Sequence, residues 1–374
     1  MRKWLLSVCM ILALIACKDE KNESTQADTR PVVKIGATLP LSGNLSYVGI
    51  GAQNALQMLL EKWQNRNTKY KYELFFENDM VKPQQAAINT QKFINMDKAR
   101  VVVSVFGIVD RPVDEIANQN KIISLSCSHG KRNIPEYGLN TGMQNEENYA
   151  EALKQLKKRN VKTVALVGSH AAVSNVILDY MAEHLPQDNI QVLANERYAI
   201  GETDYRLSIQ KIEDMKPDYY LVFGVEPMNS IFVKQYNELT GKNNIAGLGT
   251  FCNIDSKVFP AVEGVWSTDF VGNNEAFVKE YLNKYHTRVE VCSANLYDGL
   301  DMIITAFENT PVKENAILPD NFAVMKNIKE RKNWDGASGK IKIEENGIVR
   351  SEVKSRIYKN GQWVKIKEEE DEAN

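Results

Sequence analysis

The chain has 374 residues, of which 43% are hydrophobic and 25% are charged, and this length is sufficient for two folded domains. Its 46 basic and 48 acidic residues nearly cancel, which gives a formal net charge of −2. This balance argues against a nucleic-acid partner, which requires a concentrated basic face.

The N-terminus predicts export. Arg2 and Lys3 precede an apolar run at residues 4–15, which is shorter than the roughly 20 residues that a membrane-spanning helix needs. The run ends in Leu-Ile-Ala-Cys at residues 14–17, which resembles the bacterial lipobox. We therefore expect a lipoprotein signal peptide at residues 1–16 and a lipid on Cys17 that anchors the chain to the periplasmic or extracellular face of a bacterial membrane. An ordinary signal peptide that contains a cysteine is the alternative.

Polar segments flank the remaining sequence. Residues 17–31 hold too few apolar side chains to fold and predict a flexible tether. Within them, Lys-Asp-Glu at residues 18–20 resembles the surface-export signal of some Bacteroidetes lipoproteins, although a solvated charge run is the simpler explanation. Residues 367–374 form an acidic tail.

The cysteines indicate no metal centre. Of five cysteines, Cys9 belongs to the signal peptide and Cys17 to the lipid anchor, so Cys127, Cys252 and Cys292 remain. Because this number is odd, at least one of them is free unless it pairs between chains. Their spacing matches no zinc motif, and we expect neither a metal nor a cofactor.

Short apolar runs alternate with segments of helical periodicity. Strands are predicted at residues 32–38, 70–76, 101–105, 122–125, 163–167, 190–193, 219–223, 245–248, 265–267, 340–343, 349–354, 356–359 and 362–366. Helices are predicted at residues 52–63, 83–96, 112–119, 149–159, 174–184, 205–215, 228–239, 275–285, 294–308 and 320–330. The alternation pauses at 140–145 and restarts, which predicts an α/β protein with two doubly wound parallel-sheet lobes. Asn-Gly pairs at 346–347 and 360–361 indicate hairpins in the last part of the chain.

Three stretches carry a resemblance to a known family: residues 33–43 with Gly49 and Gly51, the Tyr-Asp-Gly at 297–299, and residues 335–364 with their Asp-Gly-Ala-Ser-Gly start. Together they resemble the type I periplasmic binding proteins, specifically the leucine/isoleucine/valine-binding branch. The resemblance spans residues 32–366. It implies that the chain crosses between lobes three times, near Gly142, Gly272 and Gly339. Lobe one would then hold residues 32–142 and 273–338, and lobe two would hold residues 143–272 and 339–366.

Ligands of open α/β sheets bind beyond the carboxyl ends of the strands, and this rule selects the candidate loops. In the first lobe these are residues 42–48, 107–111 and 126–129, and in the second they are 169–173, 225–227 and 250–253. Residues 107–111 open a helix, so the backbone N–H groups of Gly107 and Ile108 can hold an anion unless Asp110 satisfies them instead.

The resemblance assigns roles but also shows departures. In the family, a serine at the position that aligns with Gly107 binds the carboxylate of the amino-acid ligand. Ser126 and Ser128 lie where the family uses a strand-end carbonyl and a hydroxyl to bind the amino and carboxyl groups of the ligand. The stacking tyrosine of the family falls near Val173, and its ammonium-binding acid aligns with Phe251. We therefore expect weak or no binding of branched-chain amino acids, and a site that suits a carboxylate or an amide better than a cation.

Other side chains on these loops complete the predicted site. Glu226 can replace the missing acid, Tyr47 and Phe251 can form apolar walls, and His129 and His170 can donate hydrogen bonds. Each also has an ordinary structural alternative: core packing, solvent exposure or local hydrogen bonding. The predicted ligand-binding residues are Ser42, Tyr47, Gly107, Ile108, Ser126, Ser128, His170, Glu226 and Phe251.

These patterns favour the solute-binding lipoprotein of an ABC importer, whose partners are a small-molecule ligand, the permease subunits and the membrane. A lipoprotein of the same fold that regulates a protein partner is the alternative. An enzyme is disfavoured, because no Gly-x-Ser-x-Gly elbow and no glycine-rich dinucleotide fingerprint follow the strands where they would belong. We expect no catalytic residue.

The anchor is directly testable. Changing Cys17 to Ser should leave an exported protein without lipid that partitions into the aqueous phase of a detergent extraction, whereas wild type should enter the detergent phase. Aqueous partitioning of the wild-type protein would contradict the lipoprotein interpretation.

Overall fold

Strands and helices alternate through the computed structural model, which describes residues 28–130, 133–224, 226–251, 254, 260–269 and 274–366. The predicted signal peptide, Cys17, most of the predicted tether, the predicted crossing near Gly272 and the predicted acidic tail lie outside these residues. Within the described part of the chain, no helix is both long enough and apolar enough to cross a membrane.

The elements follow one another in the predicted order. They are β1 (Val32–Leu39), α1 (Ser46–Gln64), β2 (Lys71–Asn78), α2 (Pro83–Asn95), β3 (Val101–Val105), α3 (Gly107–Gln119), β4 (Ile123–Cys127), β5 (Gly138–Asn140), α4 (Asn145–Lys158), β6 (Thr163–Ser169), α5 (Ala172–His184), β7 (Gln191–Tyr198), α6 (Arg206–Glu213), β8 (Tyr219–Phe223), α7 (Met228–Thr240), β9 (Ile245–Leu248), β10 (Trp266–Asp269), α8 (Glu275–Tyr285), α9 (Ser293–Asn309), α10 (Asn321–Glu330), β11 (Asn333–Gly336), β12 (Gly339–Ile343), β13 (Val349–Ser351), β14 (Lys354–Lys359) and β15 (Gln362–Lys365).

Lobe one is built on a parallel five-stranded sheet of order β2-β1-β3-β4-β5. Helices cover both of its faces, which explains why β3 reads as an unbroken apolar run. Val101, Val103 and Val105 join the core beneath α1, α8 and α9, while Val102 packs with α2 and α3 on the opposite face.

Lobe two is built on a seven-stranded sheet of order β15-β14-β10-β9-β8-β6-β7. Five of its strands are parallel, and β14 and β15 add an antiparallel hairpin at one edge. Buried residues of α4 and α5 pack on one face and those of α6 and α7 on the other. Two lobes with parallel sheets between helices confirm the predicted fold class.

A small antiparallel sheet, β11-β12-β13, packs with lobe one. Ile341, Ile343 and Val349 belong to the same hydrophobic core as the five-stranded sheet, whereas β14 joins the sheet of lobe two. The lobe boundaries remain a proposal, and this packing leads us to move the third crossing from Gly339 to the segment between β13 and β14.

The Tyr-Asp-Gly stretch that carried part of the resemblance has a packing role. Asp298 lies buried in α9 and accepts hydrogen bonds from the backbone N–H groups of Ala337 (2.6 Å) and Ser338 (2.7 Å) in the β11–β12 turn. Burial outweighs these bonds and raises the pKa of Asp298 to about 7. The aspartate therefore fastens the small sheet to lobe one.

The structure corrects several predicted boundaries. Helix α3 begins at Gly107, so the predicted start at Pro112 is wrong and Asp110 lies in the first turn rather than at the N-cap. The predicted strand at 349–354 is divided between β13 and β14. Strands β5 and β11 were not predicted, because runs of three and four residues carry little periodicity.

A disulfide joins Cys127 at the end of β4 to Cys292 at the start of α9, with 5.9 Å between their Cα atoms. It links positions 165 residues apart within lobe one. Both cysteines are buried, so the bond ties the sheet to α9 from inside the core. The sequence left this pairing open, and the remaining cysteine, Cys252, lies outside the described residues.

We expect the Cys292→Ser variant to lose about 2–5 kcal/mol of unfolding free energy, because the bond restricts the unfolded chain over a long loop. Urea unfolding of oxidised wild type and of the variant measures this loss. The Cys252→Ser variant is the matched control and should keep the wild-type difference between oxidised and reduced protein. Equal midpoints for oxidised wild type and Cys292→Ser would contradict a stabilising disulfide.

Candidate ligand-binding cavity

A cavity of about 70 Å³ lies between the lobes, at the carboxyl ends of the parallel strands of both sheets. By this measure it has room for roughly five water molecules, which suits a small ligand. Lobe one and lobe two each contribute six residues to its walls. They are Leu45, Tyr47, Val48, Phe106, His129 and Val291 from lobe one, and Val173, Phe223, Gly224, Glu226, Asn229 and Thr250 from lobe two.

Four helices begin at this cavity. Tyr47, Val173 and Asn229 lie in the first turns of α1, α5 and α7, and Phe106 is the N-cap of α3. Each helix N-terminus carries a partial positive charge and backbone N–H groups without intrahelical acceptors. The backbone of the cavity therefore favours an anionic or carbonyl oxygen.

Phe106 holds an unusual backbone conformation, with φ 74° and ψ 128°. A bulky residue at positive φ costs about 1–3 kcal/mol, and such strain concentrates where a site needs one particular geometry. Phe106 lies in the wall of the cavity, directly before the exposed residues Gly107 and Ile108.

An aromatic contact joins the two lobes across the cavity. The rings of His129 and Phe223 meet edge to face, with centroids 6.3 Å apart. Burial lowers the pKa of His129 from 6.5 to about 4, because the cationic imidazolium would lose its hydration there. At neutral pH the side chain is a neutral donor and acceptor.

Two carboxylates, one from each lobe, act on the hydroxyl of Tyr47. Burial first, then the carboxylates of Glu290 and Glu226, raise the pKa of the Tyr47 hydroxyl to about 12, while Arg288 opposes them. Glu290 is buried, and one of its carboxylate oxygens accepts a hydrogen bond from Arg288 Nε at 2.8 Å. Tyr47 therefore keeps its proton and offers a hydroxyl to the cavity.

The polar wall of lobe two is held in place by its own hydrogen bonds. Asn229 Nδ2 donates to the carbonyl oxygen of Gly224 (2.9 Å) and to Thr250 Oγ1 (3.1 Å), which joins the loops after β8 and β9. Ser230 Oγ donates to Glu226 Oε2 at 2.6 Å. The carboxylate of Glu226 is thus oriented before any ligand arrives.

The structure separates the predicted residues into three groups, and the first contains Tyr47 and Glu226, which line the cavity. The second contains Ser126 and Ser128, which are buried against Asn140. Asn140 Oδ1 accepts from the Ser128 backbone N–H (3.0 Å), and Asn140 Nδ2 donates to the Ser128 carbonyl (3.1 Å). Gly142 fits beside them because it has no Cβ. A Cβ at this position would lie 2.1 Å from that same carbonyl oxygen, which is too close.

The third group lies outside the lining. Ser42, Gly107, Ile108 and His170 are exposed, and Ser42 Oγ accepts a hydrogen bond from Asn78 Nδ2. Phe251 is fully buried in the core of lobe two, which matches the core-packing alternative. A Cβ on Gly247 would lie 2.5 Å from this ring, so the absence of a side chain at Gly247 leaves space for it.

Sequence reasoning did not select Phe106, Phe223, Gly224, Asn229 and Val291, which line the cavity from outside the candidate loops. Asn229 belongs to the first turn of α7, just beyond the loop at 225–227. Extending that loop by one helical turn would have included it, because Cβ atoms in a helix tilt toward its N-terminus.

Comparisons with known proteins agree with this architecture. A family model described as periplasmic binding protein matches residues 32–353, and the chain belongs to this family. The predicted resemblance is therefore confirmed. No curated protein matches the chain significantly.

Several solved structures share the fold. The leucine-binding protein LivK of Thermotoga maritima is 21% identical, with 90% of this chain and 98% of that chain covered and a TM-score of 0.76. A solute-binding protein of an ABC transporter from Rhodopseudomonas palustris, in complex with 4-hydroxybenzoate, is 16% identical over 90% and 96% of the chains, with a TM-score of 0.78. LivJ of Streptococcus pneumoniae, in complex with isoleucine, is 16% identical over 90% and 100%, with a TM-score of 0.75.

The half-buried imidazole of His129 predicts a specific pH dependence of stability. Because the pKa of His129 is lower in the folded state than in the unfolded state, the unfolded chain takes up a proton first as the pH falls. Stability attributable to His129 is complete above pH 6.5 and is lost toward pH 4, by up to about 3 kcal/mol.

Unfolding midpoints of wild type and His129→Gln between pH 8 and about pH 4 test this dependence. The variant should show a shallower loss of stability over this range, because it has no group to protonate. His286→Gln changes an exposed histidine and should follow wild type. Parallel curves for wild type and His129→Gln would show that the imidazole is hydrated.

Proposed function

We propose that this chain is the extracytoplasmic solute-binding lipoprotein of an ABC importer, and that it captures a small amino acid, amide or carboxylate between its lobes. The observation that carries the proposal is the cavity whose walls come equally from both lobes, at the strand ends where α/β sheets bind ligands. Lipidation of Cys17 would hold this receptor beside its permease at the membrane.

The chemistry of the cavity supports a ligand with an apolar body and one polar end. Leu45, Val48, Val173 and Val291 form apolar walls, and the converging helix N-termini favour a carboxylate or carbonyl oxygen. Solved structures of similar fold contain isoleucine, benzoate and 4-hydroxybenzoate, which are all carboxylates. Glu226 adds an acceptor for an N–H group, which an amino acid or amide would supply and a benzoate would not.

Capture follows from ligand contacts with both lobes. A ligand that touches Tyr47 and Glu226 together stabilises the closed arrangement, because the opened lobes satisfy only one of these contacts at a time. The permease would then distinguish the loaded receptor from the empty one by the relative positions of its lobes.

A thermal-shift screen of amino acids, small amides, carboxylates and short peptides tests the function. A ligand at about 100 times its dissociation constant stabilises the fold by about 2.7 kcal/mol, which raises the melting midpoint by several degrees. We expect Val173→Trp to abolish this shift, because the larger side chain fills the cavity.

His170→Ala is the matched control, since His170 lies on the same loop but outside the lining. It should keep the wild-type shift. Equal ligand shifts for wild type and Val173→Trp would place binding elsewhere, and a largest shift with leucine or valine would show that the departures at Gly107 and Phe251 do not matter.

A further inference from the structure

A second concave surface, which we call the cationic groove, lies on lobe two between the end of α4 and the β14–β15 hairpin. Its volume is about 320 Å³, and it shares no residue with the interlobe cavity. Four of its eight described lining residues are the cations Lys158, Arg159, Lys359 and Lys365, and none of these eight is an acid. Outside the lining, Glu275 of α8 places a carboxylate oxygen 3.9 Å from Lys365 Nζ, so the other three cations carry the inference. The groove therefore fits an anionic occupant.

The floor of the groove holds one of these cations in a fixed position. The guanidinium of Arg159 lies over the ring of Trp266, 5.1 Å from its centroid. Arg159 Nη1 also donates to the Gln155 carbonyl oxygen (3.0 Å) and to Gln155 Oε1 (2.7 Å). Burial lowers the pKa of Arg159, so a nearby carboxylate would stabilise its charge.

The chain itself brings acids to this place. Ile366 lines the groove, and the sequence continues with Lys367 and then five acids at residues 368–372. Because a residue spans at most about 3.5 Å, Glu368 lies within roughly 7 Å of Ile366 and Glu372 within roughly 21 Å. The Debye length at physiological ionic strength is about 8 Å, so connectivity holds the first acid within about one Debye length of a residue that lines the groove.

We propose that the acidic segment 368–372 docks in the cationic groove and forms an ion-pair network with Lys158, Arg159 and Lys359. Connectivity keeps the acids at a high local concentration, so pairs that are weak individually become populated together. The network would fasten the end of the chain to α4, the first helix of lobe two. This inference is independent of the ligand and of the proposed transport function.

Zero-length carbodiimide cross-linking of the whole protein tests the docking directly, because it joins only carboxylates and amines that are already in contact. We expect peptides that link residues 368–371 to Lys158 or Lys359, with yields that fall severalfold in high salt. The exposed Lys211 of α6 is the internal control and should not be linked. Tail cross-links spread evenly over Lys158, Lys359 and Lys211, or absent from the groove, would overturn the proposal.

Two variants separate charge from chain length. A chain ending at Ile366 and a full-length chain with all five acids changed to Gln or Asn should both melt about 2 °C lower than wild type in low salt, and equally with it in high salt. Lys359→Gln should lower the melting midpoint in the wild-type background but not in the neutralised-tail background, whereas Lys211→Gln should leave the midpoint unchanged in both.

A full-length wild type that binds phosphatidylglycerol vesicles through Lys158 and Lys359, without tail cross-links, would assign the groove to a membrane surface instead.

Discussion

The direction of the parallel strands is the constraint on which the site depends. Parallel strands end at one edge of a sheet, and the helix that follows each strand begins there, so loops and helix N-termini collect at that edge. In this protein the two lobes turn these edges toward each other. Every described lining residue except Val291 lies at the end of a parallel strand, in the loop that follows it or in the first turn of the next helix. The site therefore combines donors from both lobes without any long loop.

Much of this arrangement can be predicted from the sequence, because the alternation of apolar runs and amphipathic segments is a local property. The two lobes and the order of the predicted elements are confirmed, and five of the six candidate loops contribute residues to the cavity wall, the exception being 107–111. The starts of the helices were predicted less accurately, and the first turn of α3 shows why. The left-handed backbone at Phe106 lets the helix begin at Gly107, five residues before the proline that suggested its start.

The orientation of individual loop side chains could not be predicted, because partners distant in sequence decide it. Ser126 and Ser128 are held by Asn140, which belongs to a strand too short to predict. Phe251 turns into the core because Gly247 leaves space for its ring. Tyr47 and Glu226 line the cavity because the opposite lobe covers them, and this packing exists only after the chain has folded.

The contacts that reinforce lobe one differ from those that join the two lobes. Lobe one is reinforced by the Cys127–Cys292 disulfide and by Asp298, which fastens the small sheet to α9. Near the first crossing, Arg350 of β13 donates to both carboxylate oxygens of Glu147 in α4, at 2.7 and 2.9 Å. Relative motion is therefore expected at the crossings between the lobes, beside this contact, rather than within lobe one.

Small-angle X-ray scattering with and without a saturating ligand tests this account most directly. If the ligand binds between the lobes and favours their closed arrangement, the radius of gyration must decrease on saturation, and Val173→Trp must show no ligand-dependent change. A ligand that binds wild type while the radius remains constant would contradict capture by closure of the lobes.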